Sequence, residues 1–271
     1  MRYRLPVCVV LLLLQGCLSS GARIDRQAQA AHLTRTVVDG AGFRHVIYSK
    51  PSASSGAPHR LLIFLDGDGR PWDGRQPADD PTTRHPVALQ LLAKTPVQGI
   101  YVSRPCYQQM SDPGCSPATW TSARYSAAVA DSIAAAIRAV TRDAGHPDIV
   151  LVGYSGGGAL AVLVAERLEH VTAVVTIAAN LDIDAWTQQH NYLPLKDSLN
   201  PANSGTQHAW REIHLQGARD TVVPAATTTA YFRHFPDAQH WQFDDYDHVC
   251  CWADAWPEIF ARIGKELDEK E

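Results

Sequence analysis

The chain has 271 residues, 45% hydrophobic and 19% charged, which is apolar enough for a core and too weakly charged for a disordered segment. Lysine and arginine number 24 against 28 aspartates and glutamates, a net charge of -4 without any basic run, so nucleic acid is excluded and a small molecule is the expected partner. Single α/β domains run to roughly 250 residues, so the length fits one large domain.

Arg2 and Arg4 precede an uncharged stretch from Leu5 to Leu14 that falls well short of the roughly 20 residues of a membrane-spanning helix. Residues 1–16 therefore read as a signal peptide. The following Leu14-Gln15-Gly16-Cys17 resembles the lipobox of bacterial lipoproteins, which implies that Cys17 is lipidated and becomes the new N-terminus. Leu18 after the cysteine, rather than an aspartate, points to the outer membrane with the protein facing the periplasm. Ordinary secretory cleavage near Ser20 to Ala22 is the alternative. Residues 17–34 are polar and rich in alanine and glutamine, as suits a lipidated tether, and residues 35–271 form the expected domain.

Cys106, Cys115, Cys250 and Cys251 remain, and in an oxidising compartment they pair with one of three connectivities. Cys106 with Cys115 is the preferred loop closure, leaving Cys250 and Cys251 as a vicinal pair or free thiols. The cysteines lack the CxxC spacing of a zinc site, so no metal is expected.

Thr36 to Val38 and Arg44 to Tyr48 flank Asp39-Gly40-Ala41-Gly42, the pattern of an antiparallel hairpin, and a loop over 51–58 follows. Short apolar runs then alternate with helical ones, the signature of a mainly parallel central sheet with helices on both faces. The strand candidates are Leu61 to Leu65, Gly99 to Ser103, Ile149 to Val152, Val171 to Ile177, Glu212 to Leu215 and Trp241 to Phe243. Ser122 to Ala144 carries Tyr125, Val129, Ile133, Ile137 and Val140 on one stripe and ends at Gly145 and Pro147. Ala159 to Leu168 is apolar all round, and Trp256, Ile259, Phe260, Ile263 and Leu267 mark a final helix. Asn180 to Trp210 reads as a small lid insertion over the site.

The run Ile149 to Ala159 holds a buried strand, then Gly153-Tyr154-Ser155-Gly156-Gly157, then small residues opening a helix. This context converts a Gly-x-Ser-x-Gly pattern into a nucleophile elbow, where a sharp turn needs neighbours without bulk two residues to either side of Ser155. Gly158 lets the helix approach the strand. A phosphate cradle at a helix N-terminus is the other reading, and the missing lysine argues against it. A serine hydroxyl needs a histidine base and a carboxylate to orient it. Asp220 follows a strand end at Leu215-Gln216-Gly217, and His248 closes Asp245-Tyr246-Asp247-His248 after the last strand. Asp182 and Asp184 are alternative acids and His240 a rival base, whereas His208, His214 and His234 read as surface or packing residues.

These three segments, in this order, resemble the α/β-hydrolase superfamily of serine esterases, lipases and peptidases, in an uncharacterised lipoprotein branch, over about residues 36–265. The resemblance implies Ser155 as nucleophile, His248 as general base and then acid, and Asp220 as its orienting partner, with a carboxylic ester as substrate and no cofactor. Peptidases and acyltransferases use the same three residues. It also implies an oxyanion hole from the backbone N–H groups of Gly156 and Asp68, with Asp66 where the family commonly has histidine and Arg104 expected to pair with Asp66. Trp72, Trp120, Trp186, Trp210 and Tyr107 either line a pocket or pin loops.

Leu62 to Gly69 also resembles the Asp-x-Asp-Gly strand of haloacid-dehalogenase-type phosphatases, which would make Asp66 and Asp68 a magnesium-dependent phosphoryl-transfer pair; Arg70 departs from that pattern. A non-catalytic binding lipoprotein is a further alternative, which leaves the ordered Ser155, Asp220 and His248 without a purpose.

Overall fold

The computed structural model describes residues 19–51, 59–204 and 207–268. Cys17, the signal segment and most of the expected loop at 51–58 lie outside them. Eight stretches of alternating or continuous apolar residues form one sheet: β1 (Thr34–Asp39), β2 (Arg44–Ser49), β3 (Arg60–Leu65), β4 (Gly99–Val102), β5 (Asp148–Tyr154), β6 (Val171–Ile177), β7 (Arg211–Gly217) and β8 (Gln239–Phe243), in the order β1-β2-β4-β3-β5-β6-β7-β8. The β1–β2 and β2–β4 pairs are antiparallel and the remaining five pairs parallel.

The parallel strands β3 to β7 are largely buried on both faces, since successive side chains point opposite ways and helices cover each face. Leu61, Ile63 and Leu65 of β3 pack beneath α3 (Ala127–Asp143) and α4 (Gly156–Ala165). Leu62 and Phe64 point the other way, toward α2 (Val87–Lys94) and α7 (Trp252–Asp268), where Trp252 and Trp256 are almost fully buried. Two short helices, α5 (Ile183–Gln189) and α6 (Thr229–His234), complete the layers. The expected helix from Ser122 begins instead at Ala127, because Ser126 caps it by accepting the Val129 N–H and residues 117–120 form their own short turn.

The expected tether is corrected. Ser20–Ala30 forms α1, capped by Ser19 and docked through Ile24 and Ala28, whose four-residue spacing puts both on one buried stripe. Burying a side chain such as Ile24 contributes about 2 kcal/mol, which outweighs the weak intrinsic stability of an isolated 11-residue helix.

Disulfides join Cys106 to Cys115 and the adjacent Cys250 to Cys251. Cys106, Tyr107 and Trp120 form a small satellite core, so Tyr107 and Trp120 pin loops. Trp210 stacks on His208. A buried ionic knot lies beside β7: Glu212 bonds His208, His214 and the Tyr231 hydroxyl. Burial opposes the charge on each group, but the two histidines hold Glu212 down to about 2 and the neighbouring glutamates lift His208 to about 9. His208 and His214 are thus interior residues, whereas His234 lies at the surface and bonds the Ser204 carbonyl.

Candidate active site

Strand register brings the functional loops to one edge of the sheet. Leu65 lies opposite Gly153, Tyr154 opposite Ile177, Ile177 opposite Leu215 and Gly217 opposite Phe243, so the chain leaves β3, β5, β6, β7 and β8 at nearly the same level. Ser155 sits at the tip of the turn between β5 and α4 with φ 53° and ψ -125°, a left-handed backbone that a non-glycine residue adopts at a cost. A Cβ on Gly153 would strike the Gly157 carbonyl, and one on Gly157 would strike the carbonyls of Leu65 and Asp66. Bare backbone at both positions is what lets the turn close.

Asp220 lies three residues beyond β7, fully buried at its carboxylate. Its Oδ1 accepts the N–H groups of Val222 and Val223, both at 2.8 Å, and its Oδ2 faces His248 Nδ1 at 2.8 Å. A carboxylate can only accept here, so Nδ1 carries the proton and Nε2 is left as acceptor for the Ser155 hydroxyl, 3.0 Å away. The His248 carbonyl accepts from the Tyr154 hydroxyl at 3.0 Å and from Trp252 Nε1 at 3.2 Å, which fixes the loop carrying the imidazole. Gly217 permits that loop to lie close, since a Cβ there would meet the Tyr246 carbonyl.

The rival residues have other partners. Asp182 caps α5 through the Ala185 N–H and bonds Asn200, which also bonds Asp184. His240 bonds Gln216 and stacks on Phe232.

The loop after β3 runs along Ser155: a Cβ on Gly67 would sit 3.0 Å from the Ser155 Cβ. At the first position of α4 the Gly156 N–H has no intrahelical acceptor, and the Asp68 N–H donates to no acceptor among the described residues. Both residues line the cleft that contains Ser155.

The expected Asp66–Arg104 pair is corrected. Arg104 Nη1 bonds Asp68 Oδ1 at 2.5 Å, Arg124 Nη1 bonds Asp68 Oδ2 at 2.8 Å, and the Tyr125 hydroxyl lies within 2.8 Å of both oxygens. Burial acts to raise the Asp68 carboxyl, but the two guanidinium groups outweigh it and hold it down to about 2. Asp66 is left to the Gly67 and Ala88 N–H groups on Oδ1, while its Oδ2 has no partner among the described residues. Burial lifts it to about 7 against the pull of those N–H groups. Neither carboxylate of the phosphatase-like pattern is therefore placed to serve as a free anionic ligand: one is enclosed by arginines and the other is buried and weakly acidic. Arg124 and Asn180 escaped the sequence reading, and Tyr125 figured there only in an apolar stripe. Arg124 and Tyr125 meet Asp68 from a distant segment, so local pattern gave no signal beyond a second arginine just ahead of α3.

The sign of the Asp66 effect on stability follows from its two titrations. The unfolded carboxyl loses its proton near 3.8 and the folded one near 7, so between those values the folded state holds the extra proton and stability falls as pH rises. The full effect is about 4 kcal/mol. Asp66→Asn keeps the shape without the titration, and its thermal stability relative to the parent should improve steadily between about pH 4 and about pH 7. Parallel pH profiles for the two proteins would show that Asp66 does not titrate in this window.

A cleft of about 1010 Å³ opens above Ser155 and His248. Trp72, Trp186, Tyr192 and Leu193 line it, and Trp186 is fixed by its Nε1 bond to the Val222 carbonyl. Trp186 and Tyr192 come from the expected lid insertion, which forms one wall of the cleft.

A mainly parallel central sheet with helices on both faces, and a sharp strand-to-helix turn at Ser155, is the architecture of the α/β-hydrolase fold, and solved structures agree. The chain is similar to an esterase of Pyrococcus furiosus at 13% identity, covering 89% of this chain and 92% of that one with a TM-score of 0.63. It is also similar to the esterase domain of a Rhodothermus marinus protein, at 13% identity over 86% and 97% of the two chains with a TM-score of 0.59. A third neighbour is a Xanthomonas campestris α/β serine hydrolase described as lacking a lid, at 12% identity over 86% and 95% with a TM-score of 0.55. No protein-family model and no curated protein matches the sequence.

Proposed function

We propose that the protein is a serine hydrolase that cleaves carboxylic esters through an acyl-enzyme. The observation that carries this reading is the unbroken chain from Asp220 Oδ2 to His248 Nδ1, 2.8 Å, and from His248 Nε2 to the Ser155 hydroxyl, 3.0 Å, at the base of an open cleft. His248 takes the hydroxyl proton as Ser155 attacks the ester carbonyl, and Asp220 stabilises the resulting imidazolium. The Gly156 and Asp68 N–H groups meet the developing oxyanion. His248 then protonates the departing alcohol, and water, activated by the same imidazole, releases the acid. The same residues serve peptide cleavage and acyl transfer; esters are favoured by the esterase fold neighbours.

The cellular setting is part of the proposal: Cys17 as a lipid anchor in the cell envelope, at the outer membrane facing the periplasm, with the membrane touched only through the lipid. Since α1 begins at Ser20, only two residues would separate the anchor from that helix.

Labelling the purified protein with a fluorophosphonate tests the chemistry, because only an activated serine reacts at a useful rate. Mass spectrometry is expected to place the adduct on the peptide containing Ser155 and to find none in Ser155→Ala. A folded protein that stays unlabelled would overturn the proposal.

A further inference from the structure

The hydrogen-bonding capacity left over in the cleft is dominated by cationic donors. Arg70, Arg84 and Arg124 line it together with Asp66 and Asp68. Asp68 is fully engaged by Arg104, Arg124 and Tyr125, and Asp66 is held protonated into the neutral range by burial. Arg124, 6% exposed, spends Nε on the Thr121 carbonyl and Nη1 on Asp68, and its Nη2 donates to no acceptor among the described residues. Arg70 and Arg84 make no side-chain bond or ion pair among the described residues; their loops pack together, the Arg70 N–H donating to the Pro81 carbonyl at 2.7 Å. Asn180, 2% exposed, also lines the cleft, and neither polar atom of its amide has a partner among the described residues. Leaving the buried Asn180 amide unbonded is costly, while the half-buried Arg70 and the exposed Arg84 keep their donors at the mouth of the cleft, and together they point to a ligand that bonds them.

Strand order separates the arginines from Trp186 and Val222, with Trp72 on the arginine side and Asn180 on the other. Arg70 and Arg84 follow β3, and Arg124 follows β4, on one side of the β5 turn that carries Ser155. Trp186 follows β6 and Val222 follows β7, on the other side. Two arginines enclosing one carboxylate leave surplus positive charge beside the nucleophile in a chain whose net charge is -4.

We infer that the ester taken by this cleft is an anion, with a carboxylate or phosphate group held by Arg70, Arg84 and Arg124 and an apolar portion against Trp186 and Val222. This inference rests on the serine-hydrolase reading and names its substrate class. A guanidinium bonds either oxyanion bidentately, and a partly enclosed cleft weakens screening of the contact.

The test compares esters matched in size and differing in charge: 4-nitrophenyl pentanoate with the 4-nitrophenyl monoester of glutaric acid, and phenyl acetate with 4-acetoxybenzoate and 4-acetoxyphenyl phosphate. In at least one set the anionic ester should show kcat/KM about tenfold or more above its neutral counterpart. That ratio should fall toward one in the Arg70→Gln/Arg84→Gln double variant and should shrink in about 1 M salt, where the Debye length is about 3 Å. Both arginines sit in surface loops, and the salt series needs no variant at all. Neutral esters preferred throughout, or a ratio indifferent to both the double variant and salt, would overturn the inference while turnover of the neutral esters preserved the hydrolase reading. No turnover of any ester, together with no labelling of Ser155, would overturn both.

Discussion

Ser155→Ala is expected to lower kcat for ester hydrolysis by roughly 10⁴- to 10⁶-fold, and His248→Ala by a similar factor. Without the Ser155 Oγ no acyl-enzyme forms. Without His248 Nε2, 3.0 Å from that oxygen, the hydroxyl keeps its proton and remains a poor nucleophile. The residual rate comes from the Gly156 and Asp68 N–H groups and from the cleft, none of which either substitution removes. The two losses should not add, because each alone disables the same step; the double variant is expected to match the singles. Alanine retains the Cβ of serine, so the strained turn at φ 53° is no harder to form and the unfolding temperature should change little. Steady-state kinetics on a 4-nitrophenyl ester provide the measurement. A purified Ser155→Ala protein that keeps a tenth of the parent activity would remove Ser155 from the reaction.

Asp220→Asn is expected to cost roughly 10⁴-fold in kcat with little change in KM, through the tautomer of His248. The introduced amide oxygen could still accept the Val222 and Val223 N–H groups that now bond Asp220 Oδ1 at 2.8 Å, so the turn and the fold should persist. The amide nitrogen would then face His248 Nδ1 as a donor, forcing that nitrogen to be the acceptor and moving the ring proton to Nε2. An Nε2–H cannot take the Ser155 proton. Ring-nitrogen NMR chemical shifts should show protonated Nδ1 in the parent and protonated Nε2 in the variant, a change that mere loosening of the loop would not produce. Unchanged kcat, or an unchanged tautomer, would separate Asp220 from catalysis.

Much of this arrangement was legible from residues near one another in the chain. The strand before Ser155 and the small residues after it announce the turn, because its steric demand falls on positions two residues away and is met by Gly153 and Gly157. The strands from Leu61 to Leu65 and from Val171 to Ile177 were equally plain, since a strand buried on both faces is continuously apolar. The placement of α1 was hidden by composition: a segment that is polar on average still docks when Ile24 and Ala28 share one stripe.

The partner of Arg104 shows where such reading stops. Asp66 and Asp68 are two residues apart and equally acidic in sequence, and only their surroundings separate them. Arg124 and Tyr125 arrive from ahead of α3 to complete a cage around Asp68, while Asp66 is turned beneath the N-terminus of α2. Charge pairing depends on distances of a few ångströms between segments 36 or 56 positions apart, which no local pattern encodes. The turn at Ser155 and the order of serine, acid and histidine were therefore set by the chain alone, as was the character of the strands that carry them. Their approach to 3.0 and 2.8 Å, the choice of Asp220 over Asp182 and Asp184, and the cationic wall of the cleft came from strand register and loop packing, since those depend on the simultaneous burial of the whole sheet.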